Sequence, residues 1–451
     1  MTTRRQVLQL GAGLGAAAFT FKFGETANAA EADFTATSGE TVFFRGWQFR
    51  PDVVQSNVDK YNSIHSGHVD YATVTGDYPA QTEQTLIAGG EVDVLYANPS
   101  SAYRYVAGGW IKPASTLPNI DEITADLYDN IREAWTSSGQ LMGVSYFASI
   151  RGTLQVNLRA LQACGLAEAD LPRTWHDLYR TVLALHEKGV KTPYLPHWFA
   201  EYFGISWSFN FEVLNRGGQI ADASTHGPML TVDGPAGETL RDWKAIWKAG
   251  VVPEEVLSYN EAAYIDAFRS GRYIFSPQQS YDIKTFNDKS QSADVAGSVT
   301  LLPATEQPWG LLDTAMYMMS ARTNRSDALT ADVAKFVNWY GYKNEAGEIA
   351  TANRWLKENM LFSAYKSVMT SDLAREAILA SVARPQDYDT ILDVYSKASY
   401  PAGNWNVVWA EEFNSWLRTK LLEFLQNDLP VEQVIDDANA QITALNKQYG
   451  L

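Results

Sequence analysis

The sequence predicts an α/β fold in two lobes, and three observations carry that expectation. Strand-like and helix-like segments alternate from Thr41 onward in a β-loop-α-β rhythm. The chain has 451 residues, enough for two lobes of roughly 150–200 residues each. No stretch is long enough, or rich enough in Pro, Gly or Ser, to be a linker, so the lobes are expected to share several chain crossings.

The N-terminus reads as a leader. Arg4 and Arg5 precede an apolar stretch, Val7 to Phe21, in which only Gln9 and Thr20 are polar. Ala27-Asn28-Ala29 then places small residues where a signal peptidase reads. Residues 1–29 are expected to be a twin-arginine type signal peptide, since the stretch is short and Gly-rich for a membrane span.

The next elements follow in order. Thr41-Val42-Phe43-Phe44-Arg45 reads as a buried strand, broken at Gly46-Trp47-Gln48-Phe49. Pro51 can open a helix because its missing N–H is not needed in the first turn, and Val54, Val58 and Tyr61 share one face. A strand at Val69 to Val74, a loop at Gly76-Asp77-Tyr78-Pro79, a helix ending at Gly89-Gly90 and a strand at Asp93 to Ala97 complete the rhythm. It implies a largely parallel sheet.

From residue 140 the pattern repeats. Gly143 to Phe147 and Thr153 to Val156 read as two strands. Asn157 can cap the helix that ends at Cys164-Gly165, and Thr174 with Asp177 forms a capping box for a helix running to Gly189. Helices then dominate: Leu240, Trp243 and Trp247 form a stripe ending at Gly250, and Asn260 starts a helix stopped by Gly271. Val333, Phe336, Val337 and Tyr340 show the spacing of one apolar face. Two final helices carry Trp409, Phe413, Trp416 and Leu417, then Val434, Ala438, Ile442 and Leu445.

Composition excludes several functions. A net charge of −16 argues against nucleic acid and against an anionic membrane surface, both of which need a basic face. The single cysteine, Cys164, rules out an intramolecular disulfide or a thiolate metal cluster and is expected to be a small buried side chain. Among the six histidines, His65 and His68 flank Gly67, and no HExxH occurs, so no metal site and no cofactor are expected.

Four segments in order resemble one family. They are Asp93-Val94-Leu95-Tyr96-Ala97-Asn98-Pro99 with Gly108-Gly109-Trp110-Ile111-Lys112-Pro113, then Gly143-Val144-Ser145-Tyr146 through Asn157-Leu158. The others are Pro172-Arg173-Thr174-Trp175-His176-Asp177-Leu178 and Phe268-Arg269-Ser270-Gly271-Arg272-Tyr273. Together they are similar to the extracellular solute-binding proteins of the large carbohydrate-binding group that contains the maltose-binding protein. Ser145 departs from the family's usual Pro, and Asn98 stands where an acidic residue is common.

The resemblance implies a two-lobed periplasmic-binding-protein fold of type II, with a ligand cleft between hinged lobes. Residues 30–149 plus about 305–360 would form the first lobe, and 150–304 plus about 361–451 the second. It implies a monomer, soluble in the periplasm after signal cleavage, that catalyses nothing. Its partners would be a saccharide or saccharide derivative and an ABC permease in the inner membrane.

A sugar offers hydroxyls at its edge and C–H groups on its faces, so its cleft needs planar polar partners and flat aromatic surfaces. The 14 Trp and 23 Tyr supply the latter, although most aromatics pack in cores. Ligands meet the loops at the carboxyl ends of strands. That rule selects Trp47 and Gln48, then Asn98, then Ser149 and Arg151, then Gln278, Gln279 and Tyr281. Three further stretches set polar residues beside aromatics, in positions comparable to the family's site segments: His197 with Trp198, Asp313 with Thr314, and Asn404 with Trp405. Arg45 and Arg151 would suit an anionic ligand, but a surface salt bridge is the reading preferred for both. Two other functions fit the composition: an exported glycoside hydrolase, which needs two opposed carboxylates, and a binding protein for polyamines or peptides.

Overall fold

The computed structural model describes residues 38–302, 309–398 and 400–451. The leader expected at 1–29 lies outside them. Among the described residues, no helix is long and apolar enough to cross a membrane.

Ten strands are present among these residues: β1 (Thr41–Gly46), β2 (His68–Thr73), β3 (Val94–Ala97), β4 (Ile111–Lys112), β5 (Thr136–Ser137), β6 (Gln140–Leu141), β7 (Val144–Asn157), β8 (Phe275–Gln279), β9 (Val299–Leu301) and β10 (Leu311–Ser320). β5 and β6 form a small hairpin, and the other eight share one sheet ordered β2-β1-β3-β10-β7-β8. β4 joins it against β10, and β9 against β7. β1 pairs parallel with β2 and β3, while the ladders that involve β7 and β10 are antiparallel. The sheet is therefore mixed, and the expectation of a largely parallel sheet holds only at its first edge. The crossing strands impose the difference, because β7 and β10 run in opposite directions between two cores.

Those cores are separate. The first gathers Phe44, Val54, Tyr96, Ile150, Leu312, Phe336 and Trp355. The second gathers Leu154, Trp175, Trp198, Trp243, Trp309, Leu311 and Phe413. β7 leaves the first core after Ile150 and enters the second at Leu154, and β10 passes from Leu311 in the second to Leu312 in the first. A third passage lies between Ala398, in the first core, and Trp405, in the second.

β7 is one strand of 14 residues where the sequence reading places two. Its middle is irregular: the register against β8 shifts between Arg151 and Thr153. Gly152 has φ of 82°, and a Cβ there would stand 2.6 Å from the Phe211 ring. A bulge of this kind re-aims the neighbouring side chain, here Arg151.

Helix ends follow their caps. Asn157, Thr174 and Asn260 each accept a hydrogen bond from the backbone N–H three residues on, at Ala160, Asp177 and Ala263. The helices are Leu158–Ala163, Trp175–Glu187 and Glu261–Arg269. Cys164 caps the first of these and is half-buried rather than buried.

The second core holds an ionisable group that sets a pH dependence. Tyr179 donates to Glu212 at 2.8 Å, and Trp243 Nε1 donates to it at 2.9 Å. Burial lifts the Glu212 carboxyl to about 8, against the pull of the Arg216 charge. An unfolded glutamate titrates near about 4.3. Between these values the folded state holds a proton that the unfolded chain has released, so this contribution is complete below the lower value and is lost as pH rises through about 8. Glu212→Gln keeps an acceptor and removes the ionisation. Its melting temperature is expected to exceed that of the wild type by a few degrees at pH 9, with the difference vanishing at pH 5, in thermal unfolding at the two pH values. Equal differences at both would contradict the assignment.

Candidate functional site

A cavity of about 880 Å³ opens between the two cores and takes walls from both. Trp47, Phe147 and Tyr281 come from the first side, and Tyr202, Phe203 and Val408 from the second. This volume lies at the upper end of ligand sites, which run from about 300 to 1,000 Å³.

The first wall grows out of the end of β1. Gly46 closes the strand against the Tyr96 ring, where a Cβ would stand 2.5 Å from a ring carbon. That approach lets the next residue, Trp47, stack on Tyr96 with centroids 4.8 Å apart, and Tyr96 stacks in turn on Tyr146 at 4.8 Å. Tyr78 meets Trp47 edge-on at 5.5 Å and fixes its hydroxyl by donating to the carbonyl of Arg45 at 3.0 Å. Trp47 is thus a half-buried plate on a rigid aromatic base. Gln48 and Phe49 beside it are exposed at the rim.

The floor is charged. Arg151 is 3% exposed, yet it lines the cavity. Its Nε donates to Asp313 at 3.2 Å and its Nη1 to Glu261 at 3.1 Å. Its guanidinium carbon lies 4.5 Å from the Phe203 ring centroid and 5.1 Å from that of Trp207. Burial pulls the guanidinium pKa down, but the charges of Asp313 and Glu261 more than offset this and hold it protonated. A planar cation flanked by two carboxylates offers donors and acceptors side by side, the pattern that adjacent hydroxyls require.

Of the residues selected from sequence, Trp47, Gln48, Asn98, Arg151, Tyr281, Asp313 and Thr314 line the cavity together. Asn98 is largely committed to capping the helix Pro99–Ala107, accepting from the Ser101 amide at 3.1 Å. Thr314 donates to the Phe147 carbonyl at 2.8 Å.

The other seven do not line it. Ser149 is buried in the sheet and accepts from the Phe362 amide. Gln278 and Gln279 lie within β8 rather than in a loop after a strand, so their side chains belong to the sheet. Gln279 still acts on the site indirectly, donating to Glu261 at 3.1 Å. His197 packs against Phe199 and Tyr264, and burial together with the Arg151 charge holds it neutral. Trp198 meets Trp243 in the second core, Asn404 donates to Asn210, and Trp405 packs on Trp207 at 4.4 Å. Arg45 forms the expected salt bridge, with Asp70 at 2.9 Å. Arg151 does not form a surface pair, because both its carboxylate partners stand at the cleft.

Several lining residues escape the sequence reading. Asp77 and Tyr78 follow β2 and obey the same strand-end rule as Trp47. Tyr202, Phe203, Glu261 and Glu411 come from helices and turns of the second side, where no strand end announces them.

A family model described as bacterial extracellular solute-binding protein matches residues 58–352. No curated protein matches the chain. Among solved structures, maltose-bound MalE3 of T. maritima superposes with a TM-score of 0.72 at 16% identity, covering 90% of this chain and 99% of that one. An ABC transporter solute-binding protein from Agrobacterium radiobacter in complex with ribitol gives 0.73 at 14% identity, over 92% and 100%. One from Agrobacterium vitis with bound D-mannitol gives 0.70 at 15%, over 91% and 99%. These likenesses bear on the fold, and they show the expected two-lobed periplasmic-binding-protein architecture. The family model spans most of the chain, from the first helix of the first core through both crossing strands, and on that match the protein belongs to the bacterial extracellular solute-binding proteins.

Proposed function

We propose that the protein captures a sugar or polyol in the cleft between its cores and hands it, unaltered, to an ABC-type importer. The observation that carries this reading is the pairing, across one cavity, of the Trp47 plate with the Arg151–Asp313–Glu261 floor. An aromatic face suits the C–H side of a polyhydroxylated ligand, and alternating donors and acceptors suit its hydroxyls. Relatives of the same fold hold maltose, ribitol and D-mannitol, which supports the ligand class. The protein is a binding protein rather than an enzyme, acts as a monomer in the periplasm, and carries a cleavable leader.

In this reading each core is a lobe, and the hinge lies where β7 and β10 pass between them. Leu361 through Ala398 pack with the first core, and on that packing this reading assigns the segment to the first lobe in place of the second.

A thermal-shift panel of sugars, polyols, sugar acids, polyamines and peptides tests the proposal. A ligand at 100 times its dissociation constant stabilises by about 2.7 kcal/mol. A saccharide or polyol is expected to give such a shift and to be recovered intact. A shift confined to peptides, no shift at all, or hydrolysis of the sugar would overturn the reading.

A further inference from the structure

We infer that the ligand carries a protonated amine alongside its hydroxyls, as an amino sugar or an amino-deoxy polyol does, and that Glu411 receives the ammonium. The inference rests on the cleft being the ligand site, as proposed above.

Charge along the cavity wall is unbalanced. Among the described residues, seven carboxylates line it against three guanidiniums. Two of the cations are already committed. Arg104 grips Glu83 through two bonds, at 2.8 and 2.7 Å, and Arg151 holds Asp313 and Glu261. Arg418 is half-buried and lies two turns along the helix Ala410–Gln426 from Glu411, about 10 Å of axial rise. Its guanidinium bonds to Ser415 at 3.5 Å rather than to Glu411.

Glu411 is therefore left without an ion-pair partner, although the Arg104 charge reaches it. Its Oε1 accepts from two neutral hydroxyls, Ser100 Oγ at 2.5 Å and Tyr202 Oη at 2.6 Å. Ser100 belongs to the helix packed on the first side, and Tyr202 to the second, so the carboxylate stands where the lobes meet. The two hydroxyls fix the orientation of the group but bring it no charge. Burial, with Asp77 nearby, pushes its pKa above the usual carboxylate range in spite of them and of the Arg104 charge. An ammonium on the ligand would supply the missing counter-charge through a charge-assisted hydrogen bond, and the tyrosine and tryptophan faces of the same cavity favour a cation as well. An anionic ligand would meet the opposite balance. The hydroxyls of the ligand remain the task of Arg151 and its two carboxylates.

Matched pairs test this by isothermal titration of the folded protein: D-glucose with D-glucosamine, cellobiose with the β-1,4-linked glucosamine disaccharide, and sorbitol with 1-amino-1-deoxysorbitol. In at least one pair the amine is expected to bind tenfold tighter or better than its neutral partner. Glu411→Gln, which keeps an acceptor for Ser100 and Tyr202, is expected to bring that ratio within threefold of one. The wild-type ratio decides the matter even where the variant does not fold. Neutral members that match or exceed their amines would overturn the inference and leave the proposed function standing. So would a neutral sugar that binds while every amine fails. Absence of binding by every sugar and polyol, in these pairs and in the thermal panel, would overturn both.

Discussion

Replacing Arg151 with methionine is expected to lower the unfolding free energy by about 3–5 kcal/mol and to abolish ligand capture. The cost comes from what the guanidinium leaves behind. Asp313 is 6% exposed and would lose the cation that offsets its burial, while the Phe203 and Trp207 rings would lose the plane between them. Methionine fills much of the volume, so the loss reports on charge rather than on a void. Arg151→Met combined with Asp313→Asn is expected to regain part of the stability but none of the binding, since the donor–acceptor alternation is gone. Urea unfolding of the two variants, alongside a binding titration, checks both statements. A single variant as stable as the wild type would mean that the buried pair is not structural.

Trp47→Ala is expected to act in the opposite sense, weakening binding by about 10–100-fold while leaving stability within about 1 kcal/mol of the wild type. The ring is half-buried and rests on Tyr96 at the surface of the first core, so its removal opens no internal cavity. Its free area faces the cleft, and an aromatic platform that is fixed before the ligand arrives contributes affinity at little cost in side-chain entropy. Trp47→Phe is expected to recover most of the loss. Binding constants from calorimetry and melting temperatures separate the two effects. Equal affinity in Trp47→Ala would remove the plate from the site.

These two residues also show what a sequence can and cannot disclose. Trp47 is legible because a strand that reads Thr41 to Arg45 must end somewhere, and Gly46 marks the place. Asp77 and Tyr78 were available to the same rule after β2. Helix starts were equally plain at Asn157, Thr174 and Asn260, where one side chain and one amide three residues on decide the outcome. Arg151 emerges as a candidate, but its setting does not. The long crossing strand β7 reads as two strands, because the Arg151-Gly152 pair interrupts an apolar run and only tertiary pairing shows the interruption to be a bulge. The error at β8 is a shift of boundary. Tyr273-Ile274-Phe275 has the composition of a strand, yet pairing with β7 begins at Phe275 and carries Ser276 through Gln279 into the sheet. Glu411 is the least legible of all. Its helix is read from the stripe of Phe413 and Leu417 that packs in the second core, and the opposite face looks like any solvated surface. Only the approach of Ser100 from the other side, more than 300 positions earlier in the chain, turns that face into a wall of the cleft.

A crystal structure of the protein with the tightest saccharide or polyol of the panel tests the central claim most directly. The account predicts an intact molecule between the lobes, with one face against the Trp47 ring and its hydroxyls at Arg151, Asp313 and Glu261. A molecule bound at any other surface, or one cleaved in place, would contradict it.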